Sequence, residues 1–146
     1  MKHKIFLSMS AILVMVMVSP VSAKIQSFGH FRVNVPSGWN AALQGQTLLV
    51  KSEQVNASVA VAFAEMGEAS FTDIVERLYT QMKGEDLEED SDGDYIFMFT
   101  NLAGGRSFAI ITGGEGYYLV LSVTGFEFEE VHDDIEAILD SVDWED

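Results

Sequence analysis

Two periodicities alternate along this chain, one of two residues and one of three to four. Phe31, Val33 and Val35 alternate with Arg32 and Asn34, the mark of a strand with one buried face. Pro36-Ser37-Gly38 ends it, because proline cannot donate to a ladder and proline with glycine marks a turn. Shorter runs follow at Asn40–Leu43 and Thr47–Lys51, separated by Gly45-Gln46. Ala57–Ala64 sets Val59, Val61 and Phe63 on one face and Ala60, Ala62 and Ala64 on the other, where a packed helix could approach closely. Tyr95–Thr100 predicts a fifth strand. Ser107–Thr112 and Tyr117–Thr124, joined by Gly113-Gly114-Glu115-Gly116, predict a hairpin. Its strands are apolar on both faces: Phe108 and Ile110 oppose Ala109 and Ile111, and Leu119, Leu121 and Val123 oppose Tyr118 and Val120. A sheet holding such strands must be covered on both sides.

The longer period appears twice. Phe71, Ile74, Val75, Leu78 and Met82 form one stripe, Ser70 sits three residues before Asp73 as an N-cap, and Gly84 follows. The spacing predicts a helix over 70–83 that ends in a left-handed glycine. Burying five such side chains offers on the order of 10 kcal/mol before entropy is subtracted, so the helix is structural and its Met and aromatic residues belong to the core. Phe128, Val131, Ile135, Ile138, Leu139 and Val142 share a face of a second helix, 128–141, whose outer face carries Glu130, Asp133, Asp134, Glu136 and Asp140. Trp144 is expected to tuck in beside the sheet. The order is thus four strands, a helix, three strands and a helix, an α+β domain with helical cladding on each face of the sheet.

The first residues do not fit this pattern. Met1-Lys2-His3-Lys4 precedes an uncharged run from Ile5 to Val18, and Val21 and Ala23 hold the −3 and −1 positions of a cleavage site. This arrangement predicts a secretory signal peptide over 1–23 and a single domain over 24–146. The apolar run is short for a membrane span and Pro20 follows it, so no stable membrane anchor is expected after cleavage. The short basic start points to a bacterial protein exported to the periplasm or the exterior. The 146 residues contain no Cys, so the domain is held by packing without disulfides.

Charge narrows the partners. The chain stands at −15, and removal of Lys2 and Lys4 with the signal peptide takes it to −17. Nucleic acid and anionic lipid are poor partners for such a surface, whereas basic proteins, cationic peptides and divalent cations suit it. The acidic run 85–94 is expected to be a loop. Within it Glu88, Asp90, Asp92 and Asp94 place hard oxygen donors beside Gly93, a composition that suits Ca²⁺, although the EF-hand spacing is absent. The simpler reading is a solvated acidic loop. No residues are assigned as catalytic or as cofactor-binding. His30 and His132, without Cys, make no zinc signature. The hairpin tip around Glu115 lacks the Lys and the following helix of a phosphate loop, and no nucleophile elbow is present. A hydrolase built from distant groups, such as Glu115 with His132, is the remaining enzymatic alternative.

Phe31-Arg32-Val33-Asn34-Val35-Pro36-Ser37-Gly38-Trp39 resembles the opening strand and Pro-x-Gly-Trp turn of the PsbP-like superfamily. That group includes the extrinsic PsbP protein of photosystem II, a nuclear Ran-binding factor and small bacterial envelope proteins. Ile138-Leu139-Asp140-Ser141-Val142-Asp143-Trp144 is similar to the ending of many bacterial members, and the order of elements fits nearly the whole exported chain. The resemblance implies an α/β/α sandwich around an antiparallel sheet of about six or seven strands. It implies structural roles for Trp39 and Trp144 and little about activity. Together these features lead to the expectation of a non-catalytic periplasmic binding or assembly module that uses an acidic surface to hold an envelope protein or peptide with a basic surface. The alternative is a calcium-responsive protein using the acidic run.

Overall fold

The computed structural model describes residues 2–4 and 23–145; of the expected signal peptide, residues 1 and 5–22 lie outside the described residues. In chain order the elements are β1 (Lys2–Lys4), β2 (Ala23–Phe28), β3 (Phe31–Pro36), β4 (Trp39–Gln44), β5 (Thr47–Ser52), β6 (Ser58–Glu65), α1 (Phe71–Gln81), β7 (Glu85–Glu89), β8 (Tyr95–Thr100), β9 (Arg106–Gly113) and β10 (Tyr117–Thr124). A 3₁₀ turn (Glu129–Val131), α2 (His132–Ser141) and β11 (Asp143–Glu145) complete it. No described helix is long and apolar enough to cross a membrane.

Seven strands form the main sheet, in the order β4-β5-β6-β10-β9-β8-β7, with every neighbouring pair antiparallel. The expected hairpin supplies two of its three central strands: Val120 pairs with Ile111 and Leu121 with Ile110, while Leu121 also faces Val61 on β6. Both faces of these strands are covered. On one, Ile74 and Val75 of α1 pack with Phe97, Phe99, Ala109, Ile111 and Tyr118. On the other, Ile135, Ile138 and Leu139 of α2 pack with Val59, Val61, Leu119, Leu121 and Val123.

The strand expected over 31–35 does not join the main sheet. A second sheet, ordered β1-β11-β3-β2, shares the α2 face and sends Phe31, Val33 and Val35 into the same core. The chain changes sheets at Pro36-Ser37-Gly38, where Gly38 adopts φ +85°. β11 leaves no mark in the sequence because three residues carry no measurable period, but Trp144 tucks in beside the sheet as expected. It is 7% exposed and stacks on Phe63 at 3.9 Å and 11°. Trp39 is also structural: its indole N–H donates to Asp134 of α2 at 2.9 Å. Ser141 ties the other end of α2 to β3, accepting from the Asn34 amide at 2.8 Å and donating to the Ile138 carbonyl.

Both helices are shorter than their apolar stripes. Ser70 caps α1 through the Asp73 amide, as expected, but the left-handed residue at the far end is Lys83 (φ +54°), not Gly84. Gly84 is required for a different reason. A Cβ there would lie 2.5–2.6 Å from the rings of Tyr79 and Phe97. The second helix begins in the 3₁₀ turn, so α-helical geometry starts at His132 rather than near Phe128.

Gly125 sets the path from β10 into that turn. It adopts φ +87°, and a Cβ would meet the Ala57 backbone at 2.6 Å. Gly125→Ala is therefore expected to destabilise the protein by about 2 kcal/mol or more, since left-handed strain and a rigid backbone clash act together. Denaturant unfolding measures the change; a loss below about 0.5 kcal/mol would contradict this account.

Candidate functional site: an acidic edge beside an apolar groove

The acidic run is half strand and half turn. Glu85–Glu89 forms β7, the outer strand of the main sheet, and all five residues are exposed. An edge strand wet on both faces needs no apolar alternation, which is why no period announces it. Its register shifts between Glu85 and Glu88, and Asp86 sits at φ +58°. A charged, bulged edge resists pairing with another sheet.

The rest of the run closes the β7–β8 hairpin. The Asp90 amide donates to the Asp94 carbonyl at 2.9 Å, and Asp90 Oδ1 accepts from the Asp92 and Asp94 amides at 2.8 and 3.0 Å. The next hairpin repeats this design. The Asn101 amide donates to the Gly105 carbonyl at 2.8 Å, and Asn101 Oδ1 accepts from the Ala103 and Gly105 amides at 3.0 and 2.9 Å. An acidic and a neutral side chain thus do the same job, so the role of Asp90 here is to satisfy turn amides. Of the four residues expected to offer oxygen to Ca²⁺, Glu88 lies on the strand, Asp90 caps the turn, Asp92 is exposed at its tip and Asp94 is buried. Among the described residues, no three His, Cys, Asp or Glu side chains group so as to hold a metal ion.

Glu115 and His132 are not brought together. Glu115 is exposed in the turn before β10, and His132 follows that strand's far end. Eight strand residues separate them by roughly 25 Å at about 3.3 Å per residue. His132 instead stacks on Phe126 (4.3 Å, 19°), and its Nε2 contacts the Phe126 carbonyl oxygen.

Beyond these turns, the cladding stops short on each face of the sheet. On the α1 face, β4 and β5 expose Asn40, Ala42, Gln44 and Lys51 beside the half-buried Leu49. The expected helix over the alanine stripe reaches only Ala64; Ala60 and Ala62 are half-buried outside both core clusters. This open half mixes polar side chains with small or half-buried apolar ones and carries no exposed large apolar side chain.

The open half of the opposite face is apolar. A groove of about 450 Å³ runs across β8, β9 and the end of β10, lined by Ile96, Met98, Arg106, Phe108, Val123, Phe126 and Glu127. Phe126 is 37% exposed and meets Phe108 edge-on at 5.4 Å. The acidic edge runs along one side: Glu85 pairs with Met98 and Glu88 with Ile96, on the groove's face. Arg106 lies at the end, 3.4 Å from the Glu85 carboxylate in an exposed ion pair. This groove was not apparent in the sequence, because Ile96, Met98 and Phe108 show the alternation of ordinary core positions.

On the other face of β8, Tyr95 pairs with Glu89 of the edge strand and lies 5.9 Å from the Phe71 ring of α1. Desolvation, then the Glu89 charge, raises the Tyr95 phenol above its ordinary value.

No family model matches the sequence, and no curated protein does. Among solved structures, the chain is similar to that of cyanobacterial PsbP from Synechocystis sp. PCC 6803, with a TM-score of 0.62 over 86% of this chain and 94% of that one. The sequences are 16% identical, and the likeness shows a PsbP-like fold.

Two measurements test the local chemistry. Asp90→Ala should cost about 1 kcal/mol through two orphaned amides, whereas Asp92→Ala should lie within about 0.5 kcal/mol of wild type. Equal effects in denaturant unfolding would refute the capping role. Tyr95 should titrate above the ordinary phenol value of about 10 in alkaline absorbance, and Glu89→Gln should lower it. Because the folded state holds this proton more tightly, its contribution to stability is present below the unfolded phenol value of about 10 and fades as pH rises through the higher folded value.

Proposed function

We propose that the protein is a non-catalytic binding or assembly module of the bacterial envelope, exported by residues 1–23, that holds a protein or peptide with a basic surface. The exposed acidic strand Glu85–Glu89 carries this reading: four carboxylates in five residues stand along one sheet edge. The net charge of −15 supports it, since a potential of one sign steers oppositely charged partners and repels nucleic acid and anionic lipid. The PsbP-like fold is compatible with such a module, although fold alone assigns no activity.

The test is capture of basic partners at two ionic strengths. Binding of a lysine-rich peptide should fall at least about tenfold between roughly 0.05 and 0.5 M salt, as the Debye length shrinks from about 14 Å to about 4 Å. Charge reversal on the edge, Glu85→Lys with Glu88→Lys, should weaken it further at low salt. Binding that ignores both salt and charge reversal would rule out electrostatic recognition.

A further inference from the structure

We propose that the groove bounded by Ile96, Met98, Phe108 and Phe126 is the docking site of an extended basic peptide segment that alternates apolar side chains with lysine or arginine. This rests on the acidic-partner reading above and gives it a place and a second chemical requirement.

The argument starts from an inconsistency. Where an antiparallel sheet faces water, its outward residues are ordinarily polar, and β4 and β5 largely follow that rule on the α1 face, where Asn40, Gln44, Thr47 and Lys51 outnumber Ala42 and Leu49. On the α2 face, β8 and β9 do not. Ile96 and Phe108 pack on one side against the α2-side core yet stay half-buried, as does Met98, and the exposed Phe126 extends the apolar surface beyond the sheet. Single exposed apolar residues need no explanation, but a contiguous apolar groove invites an occupant.

The rim selects among occupants. Glu85 and Glu88 stand along one side on β7, and Glu127 stands beside Phe126; Arg106 is the one cation lining the groove and is engaged with Glu85. The carboxylates outnumber the cation, so the occupant must bring positive charge. A second copy of this chain, itself strongly acidic, is disfavoured, and so is an anionic bilayer. An apolar surface framed by carboxylates suits a segment with hydrophobic anchors and basic flanks.

The dimensions agree. β7, β8 and β9 span about 10 Å between outer axes at roughly 4.8 Å per strand, and adding Phe126 lengthens the floor to about 15–20 Å. An extended peptide rises about 3.3 Å per residue, so five or six residues fill it. Alternate side chains of such a segment point the same way, which places two or three anchors on the floor and the intervening bases on the far side, from where only long, flexible lysine or arginine chains reach back to the rim carboxylates.

The test uses three synthetic hexapeptides with the full-length protein: alternating Lys and Leu, alternating Lys and Ser, and alternating Glu and Leu. The Lys/Leu peptide should bind at least about tenfold more tightly than the Lys/Ser peptide, and the Glu/Leu peptide should not bind. Methyl and amide chemical shifts should move at Ile96, Met98, Phe108 and Phe126. Phe126→Ser should weaken the Lys/Leu complex about fivefold or more while leaving the Lys/Ser peptide unaffected. Glu88→Lys, at a fully wet strand position with no packing role, should weaken both; this variant keeps the test valid if Phe126→Ser unfolds. If Lys/Leu and Lys/Ser bind alike and shifts stay away from the groove, the docking site is refuted while acidic capture stands. If neither lysine peptide binds at low salt, both readings fall. Binding to neutral phosphatidylcholine vesicles in place of the Lys/Leu peptide would also overturn the proposal, since it would make the groove a lipid contact.

Discussion

Everything in this fold follows from strands that cannot tolerate water on either side. Ile111 is fully buried under α1, while Leu119 and Leu121 of the neighbouring strand are fully buried under α2 and the second sheet. Two faces therefore need cover, and the chain has limited material for it. A helix is about 10 Å across with its side chains, so it shields two or three strands at about 4.8 Å each. Seven strands exceed that. The second sheet supplies the additional cover, but only on the α2 face and mainly over the β4–β6 end. The cladding is consequently staggered, with α1 over β8–β10 and α2 with β3 and β11 over β4–β6 and β10. One uncovered half mixes polar with small apolar side chains, and the other has stayed apolar.

The acidity has at least two structural causes before any partner is considered. β7 is an unpaired edge, and four carboxylates with a bulge make it a poor template for a second sheet. Asp90 has a different task, since its carboxylate satisfies two turn amides that Asn101 satisfies in the next hairpin without charge. Carboxylates in one short run therefore serve both edge protection and turn formation. Asp90 and Asp94 are drawn into the hairpin itself, whereas Glu85, Glu88 and Glu89 remain on the wet edge.

The central elements were legible because burial on two faces, or on one stripe, leaves a strong period. The hairpin through Gly113–Gly116, the caps around Ser70 and the buried faces of both helices all express that rule. What could not be read had no period to show. β7 is wet on both sides, β11 is three residues long, and the partition of β3 into a second sheet depends on long-range packing rather than on its own alternation. Gly84 illustrates a subtler limit. Its position after a helical stripe suggested a left-handed cap, but Lys83 took that conformation and Gly84 was needed to admit two aromatic rings. The groove was hidden for the opposite reason: Met98 and Phe108 carry a core pattern, and no local signal says that the cladding covers them only in part.

The 16% identity to cyanobacterial PsbP has a physical interpretation in these terms. Architecture depends on where apolar positions recur and where the chain turns, and many sequences satisfy both. Phe63 stacked on Trp144, Trp39 bonded to Asp134, and Gly125 against Ala57 constrain how the layers meet, but none reaches outward. The uncovered halves of the sheet are under no such demand, so they can differ between proteins that share every layer. A chain with this fold can therefore keep its core while changing what it binds. Here the surfaces that packing does not explain lie together at one end of the sheet, an apolar floor and a carboxylate rim, and any specificity of this molecule should be sought at that end.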